Sequence, residues 1–293
     1  MDINALVPWH PDFATRSPMY VPLRLWTQYF ATFSEWPALD DYQQLLDILP
    51  QPILTATGQP LRVVPQEGKP DCFEKRYESR INLYGEIQTR RKNWHDFFHV
   101  LIWLIFPRTK AVLNAIHMDL ARTRFKAGAN PGQRSTRESM LTLFDEDGAV
   151  VISSDESLLQ LIRDFQWREL FWLRRAELAD KLQCISFGHA LYEKGLMPYL
   201  GMTANTILIK CDEAVLTQPM PQRLQWLDAM LAEQFEDGET LQRPCDLQPF
   251  PILGMPDWHE NNSRETFYEN KDYFRPGRRL RSLRRVDGEV SGV

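Results

Sequence analysis

Between Trp94 and Phe106 nearly every position is apolar, and the polar exceptions recur at helical spacing: His95, Asp96 and His99. At roughly 100° of rotation per residue, His95 and His99 share one helix face, one turn apart. Pro107 ends the run. Beyond it Lys110, Asn114 and His117 form a second polar stripe, bordered by Val112, Leu113, Ile116 and Leu120. The pattern predicts two helices, near 93–105 and 109–122, interrupted at a proline that a helix interior does not tolerate.

Other segments carry clearer strand or turn signals. In "MLTLFDEDGAVVIS" two β-rich runs flank Asp145–Gly148, which predicts a β-hairpin with three acids at its tip. Ser154 and Asp155 precede an apolar periodic run and predict a capped helix, with a second helix over Trp167–Leu182. "CISFG" and "NTILIKC" read as strands, "HALYEKGL" as a short helix between them, and Pro221–Phe235 as a further helix. Ten of the chain's 20 prolines lie in the first seventy residues, which leaves room for one short helix over Leu39–Leu49. The expected fold class is therefore α+β: a helical hairpin and further helices packed on a small mixed or antiparallel sheet. Residues 1–275 are expected to form a single domain whose Pro-rich segment, 1–70, wraps the main body. Residues 276–293, with the basic run Arg278–Arg285, are expected to be a mobile tail.

The two polar stripes raise a chemical question. If the helices fold back on Pro107 as an antiparallel pair, residue 117 lies level with residue 97, within about 3 Å of axial rise of both His95 and His99. Three converging imidazoles make His95, His99 and His117 candidate ligands for a divalent metal, zinc, iron or manganese. Asp145, at the expected strand end, is the candidate carboxylate ligand, whereas Glu146 and Asp147 read as surface residues. The alternative is a polar core seam in which these histidines hydrogen-bond to backbone or carboxylates. Lys110 reads as a cation that snorkels to the surface or holds an anion, and Asn114 lies on the same stripe.

A second candidate cluster is "FGHALYEK". Gly188 follows a strand, His189 opens a helix, and Glu193 lies one turn on, on the same face. Such a junction exposes backbone N–H groups, and a histidine beside a carboxylate is suited to general base catalysis. His189, Glu193, Lys110 and Asn114 are thus the candidate catalytic residues. The bland reading is a His–Glu pair that closes a helix start.

Composition narrows the classes. A formal net charge of −5 and a pI near 5.8 argue against a surface devoted to nucleic acid. Basic residues do gather around the histidine segment, at Arg76, Arg80, Arg90, Arg91 and Lys92 before it and Arg122, Arg124, Lys126, Arg134 and Arg137 after it. They read as solvated surface or as a rim for phosphate. The four cysteines are far apart with no CxxC pair, which argues against a disulfide framework or a cysteine-rich zinc site. No segment reads as a secretory signal or a bilayer-spanning run, so the expected setting is cytoplasmic with no membrane partner. Walker A, GxGxxG and GxSxG patterns are absent, which argues against nucleotide-cofactor dehydrogenases and serine hydrolases.

The segments "RYESRINLYGEIQTRRKNWHDFFHVLIWLIFPRTKAVLNAIH", "LFDEDGAVV", "FGHALYEK", "FPILGMPDW" and "FYENKDYFRP" together resemble domain-of-unknown-function family 3025. The resemblance spans Arg76 to Pro276 and implies a bacterial, cytoplasmic, one-domain protein. It brings no activity, and a different polar residue can stand in the family where His99 stands here. The leading expectation is an enzyme that is metal-assisted or uses His/Glu acid–base chemistry on an anionic substrate. The alternatives are a non-catalytic protein that binds nucleic acid or another macromolecule through the basic rim, and a structural protein with a polar histidine core.

Overall fold

The computed structural model describes residues 3–128 and 134–277. The expected tail beyond Gly277 and the centre of the loop after Gly128 lie outside the described residues. Helices α1 (Ile3–Leu6), α2 (Arg24–Thr27) and α3 (Leu39–Asp47) precede β1 (Arg62–Pro65). Next come α4 (Tyr77–Tyr84), β2 (Glu86–Thr89), α5 (Trp94–Ile105), α6 (Pro107–Lys126) and α7 (Thr136–Asp147). The chain continues through β3 (Gly148–Ser153), α8 (Glu156–Arg163), α9 (Arg175–Lys181), β4 (Leu182–Ser186) and α10 (His189–Gly195). It ends with β5 (Thr203–Lys210), α11 (Glu213–Thr217), α12 (Met220–Asp237) and β6 (Gln248–Pro251).

The fold class is α+β. A four-stranded sheet runs in the order β4-β3-β5-β6 and is mixed: β3 is antiparallel to β4 and parallel to β5, and β5 is antiparallel to β6. All six residues of β3 are buried, as in a strand covered on both faces. A separate parallel pair, β1 with β2, escaped the sequence reading because each strand has four residues and β1 ends in proline. Gly85 ends α4 in the left-handed conformation, and a side chain there would strike the Pro60 carbonyl. That tight exit sends β2 directly toward the start of α5.

The expected hairpin at Asp145–Gly148 is not formed. Ser135 caps the N-terminus of α7 and exchanges hydrogen bonds with Glu138, a capping box that commits the segment to helix. Met140, Leu141 and Phe144 then fall on one buried face. The β-rich appearance of "MLTLF" yields to this helical burial, and Gly148 begins β3 directly. Asp145 therefore stands in the last turn of a helix, not at a strand end. The helix expected over Trp167–Leu182 is likewise broken, into a π-helical turn (Glu169–Leu173) and α9.

Helix α5 is the most buried of the long helices. Asn93 caps it by accepting the Asp96 N–H at 3.0 Å, and Arg90 clamps the Asp96 carboxylate through its backbone N–H and guanidinium. Trp94, Phe97 and Phe98 meet Trp9, Phe13, Tyr20 and Phe30 from the proline-rich segment, with Trp9 and Trp94 stacked at 5.2 Å. Such aromatic pairs add to area burial. Pro107 opens α6, and the buried Asp228 of α12 accepts the Arg108 and Thr109 N–H groups there. Although α5 and α6 adjoin at the proline, α5 packs chiefly on α10, and α6 on α12 and α4.

Candidate metal centre

Four of the chain's six histidines, His95, His99, His117 and His189, line one cleft of about 580 Å³. Because α10 lies along α5, His189 at the start of α10 reaches the polar stripe of α5. His189 Nε2 is 3.0 Å from His95 Nε2, and its ring lies 4.8 Å from that of His99. His117 stands on the wall of the same cleft but belongs to neither group of closely spaced ligand atoms among the described residues. The three-imidazole meeting is formed by His189 in place of His117, since α10 and not α6 covers that face of α5.

Two glycines make the approach. A side chain at Gly188 would strike the Glu146 carbonyl and the Gly148 backbone, and one at Gly148 would strike the Phe144 carbonyl. The end of α7 and the start of α10 thus press together, which places Glu146 beside His189. Gly188→Ala is expected to destabilise the protein by about 1–3 kcal/mol, the range for overpacking. A denaturant titration checks this, and a neutral result would show that α7 and α10 can part.

Glu146 is the residue that the sequence reading passed over, having assigned it to an exposed hairpin tip. Its Oε2 lies 3.4 Å from His189 Nε2 and 3.9 Å from His95 Nε2. With 3.0 Å between the two imidazole nitrogens, a point equidistant from all three atoms lies about 2 Å from each. That is the length of Zn–N and Zn–O bonds. Reading "RESMLTLFDED" as a helix would have placed Glu146 in the final turn, next to Asp145.

The protonation pattern is set by outer partners. Glu193 Oε2 is 3.1 Å from His95 Nδ1, so the carboxylate takes the proton on Nδ1 and leaves a lone pair on Nε2. Glu193 therefore serves His95 across the helix interface, and not His189 one turn away. His189 Nδ1 is buried without a well-formed hydrogen bond, although the Asp145 backbone acts on the ring as an acceptor. In the tautomer that carries its proton on Nδ1, His189 also directs a lone pair from Nε2. Two lone pairs 3.0 Å apart repel unless a proton or a cation lies between them. Burial chiefly, with His95 and Lys110 adding to it against the pull of Asp145, pushes His189 down to about 3. Burial also works against a charge on His95, but the Glu193 hydrogen bond and the carboxylates of Glu146, Glu193 and Asp96 carry it above the ordinary histidine value. Glu146 is raised, first by burial and then by Asp145 and Asp147, with His95 opposing.

A second trio, His99, Asp145 and His189, also has its ligand atoms within 4.8 Å of one another. Its members already have partners. Lys110 Nζ lies 2.5 Å from Asp145 Oδ1 and over the Trp103 ring, and Tyr77 Oη is 2.8 Å from His99 Nδ1. Lys110 thus stands behind the wall, with its charge taken up by Asp145. Lys110 and His189 hold the Asp145 carboxyl below its usual range despite its burial. His99 is driven well below the usual histidine value, first by burial and then by Lys110, His189 and His95. Asn114 also stands behind the wall, donating to the Glu78 carbonyl at 3.0 Å and the Glu78 carboxylate at 2.6 Å, and ties α6 to α4. Of the basic residues expected to form a rim, Arg76, Arg90, Arg124 and Arg134 line the cleft. Arg90 is held by Asp96 and Arg124 by Glu138.

The model of a family described as protein of unknown function (DUF3025) matches residues 61–278. No curated protein and no solved structure matches the chain. Among the described residues no helix is long and apolar enough to cross a membrane.

Proposed function

The chain belongs to the DUF3025 family, and from that premise we propose that His95, Glu146 and His189 form a mononuclear metal centre in a metal-assisted enzyme. One observation carries the reading: the three ligand atoms are spaced so that an ion about 2 Å from each would fit between them. Two imidazoles and one carboxylate are the ligand set of catalytic zinc sites with an open fourth position, and of iron sites of the same composition. A metal held by these three residues would supply Lewis-acid chemistry, polarising an oxygen or activating water. With zinc in the site, hydrolysis by an activated water would be the reaction class.

The protein's own groups have separable roles in this reading. Glu193 orients His95. Tyr77 and His99, joined by a 2.8 Å hydrogen bond on the cleft wall, hold a proton near the centre. Lys110 neutralises Asp145 and keeps the second trio from competing for the ion. We further propose a cytoplasmic setting, with which the four unpaired cysteines accord.

Elemental analysis of purified protein, followed by titration of the stripped protein with zinc, manganese and iron(II), is expected to give about one equivalent of a single metal. Glu193→Gln is expected to weaken that binding roughly 10–100-fold, the usual cost of losing the outer partner of a ligating histidine. Protein that carries no metal and takes none up in titration would remove the reading.

A further inference from the structure

Arg76 differs from the other cations of the cleft. Lys75 is paired with Asp71, Arg90 with Asp96 and Arg124 with Glu138, while Arg134 is exposed and reaches Thr142. Arg76 is half-buried, and among the described residues its side chain has neither a carboxylate partner nor a hydrogen bond. Its guanidinium lies over two aromatic rings, 5.7 Å from the centre of Phe73 and 5.3 Å from that of Phe125. The two rings are themselves 5.3 Å apart and tilted by 35°, so together they form an angled platform. A cation that rests on aromatic rings and makes no hydrogen bond to the protein keeps its N–H donors free for a ligand. Those donors are suited to two coplanar oxygens of an oxyanion.

Its place in the chain ties this group to the centre. Arg76 is the residue before α4, and the next residue is Tyr77, whose hydroxyl bonds His99. Consecutive Cα atoms are about 3.8 Å apart, so the backbone that carries Arg76 adjoins the backbone that carries Tyr77. Arg76, Tyr77, His95, Glu146 and His189 all line the same cleft.

We infer that Arg76 is the anion-holding residue of this cleft, and that the substrate carries a phosphoryl or carboxylate group beside the bond that meets the His95–Glu146–His189 centre. This rests on the metal-enzyme reading for the second half of the statement, whereas anion capture by Arg76 stands on its own contacts. The substrate class is then an oxyanion-bearing small molecule whose charged end is recognised in a plane, as a guanidinium fork demands.

The test uses the full chain, with and without one equivalent of zinc, and two probes, phenylphosphonate and benzoate, followed by calorimetry. The wild-type protein is expected to bind at least one probe, and the stronger of the two identifies the oxyanion. Arg76→Met is expected to weaken that probe at least tenfold while zinc affinity and the far-UV spectrum stay unchanged. Arg76→Lys, which keeps the charge but not the fork, is expected to recover only part of the loss. A loss smaller than tenfold, an equal loss on Arg134→Met, or no binding of either probe to wild type overturns the inference. Failure of the metal reading looks different: zinc does not bind, yet the Arg76-dependent binding of the probe persists in the zinc-free protein.

Discussion

Alanine in place of His189 is expected to abolish stoichiometric metal binding, with affinity falling by more than the roughly 100-fold that marks the upper cost of losing an outer partner. His189 supplies one of the three atoms around the equidistant point, and the two left behind, on His95 and Glu146, do not make a site. The metal-free variant is expected to keep its fold and to lose, relative to the metal-free wild type, only the Nε2 contact with His95, because Nδ1 makes no well-formed hydrogen bond. A purely structural histidine makes the contrary forecast: a loss of about 1–3 kcal/mol from partners left unsatisfied. Metal titration together with denaturant unfolding of the stripped proteins separates the two. A variant that unfolds early and still holds its metal would sink the assignment of His189 as a ligand.

Lys110→Met is expected to give the largest loss of stability, about 3–5 kcal/mol, as when one partner of a buried ion pair is removed. The Lys110 side chain is 5 % exposed and that of Asp145 16 %. Removing the ammonium leaves a carboxylate inside the protein with its nearest cation gone, and the cation over the Trp103 ring is lost as well. The double variant with Asp145→Asn is expected to recover most of the deficit, since no buried charge is then left unpaired. Chemical denaturation of the two single variants and the double variant measures the coupling. If the single variant loses less than about 1 kcal/mol, the pair is solvated in solution and the wall at Asp145 is open.

Both expectations concern residues that the sequence singled out: His189 was readable as a base or further ligand facing the cavity of the hairpin histidines, and it lines that cleft, whereas Lys110 was readable only as a snorkelling or anion-holding cation. His189 was legible as the first residue of a helix after a strand and a glycine, and it occupies that place. His95 and His99 were legible as neighbours on one helix face. Glu146 was not. Its segment carries β-rich residues, and only the capping box and the buried face of Met140, Leu141 and Phe144 decide for helix. Lys110 was legible as a polar residue among apolar ones, but the carboxylate that consumes its charge lies thirty-five residues away. No local spacing reports such a partner.

Residue spacing by itself determined the two helices around Pro107, the stripe of polar groups on each, the strand–Gly188–helix junction and the α+β class, because each depends on the period of burial within one segment. The tertiary structure decided which stripe meets which. Helices α5 and α6 adjoin in sequence, yet the apolar surface of α5 is covered by α10 and the proline-rich segment, and that of α6 by α12 and α4. Burial of apolar area is non-directional, and it selects partners by the fit of whole faces and not by adjacency in the chain. That selection brought His189, Glu193 and Glu146 to His95, and left His117 on the wall of the cleft outside both trios.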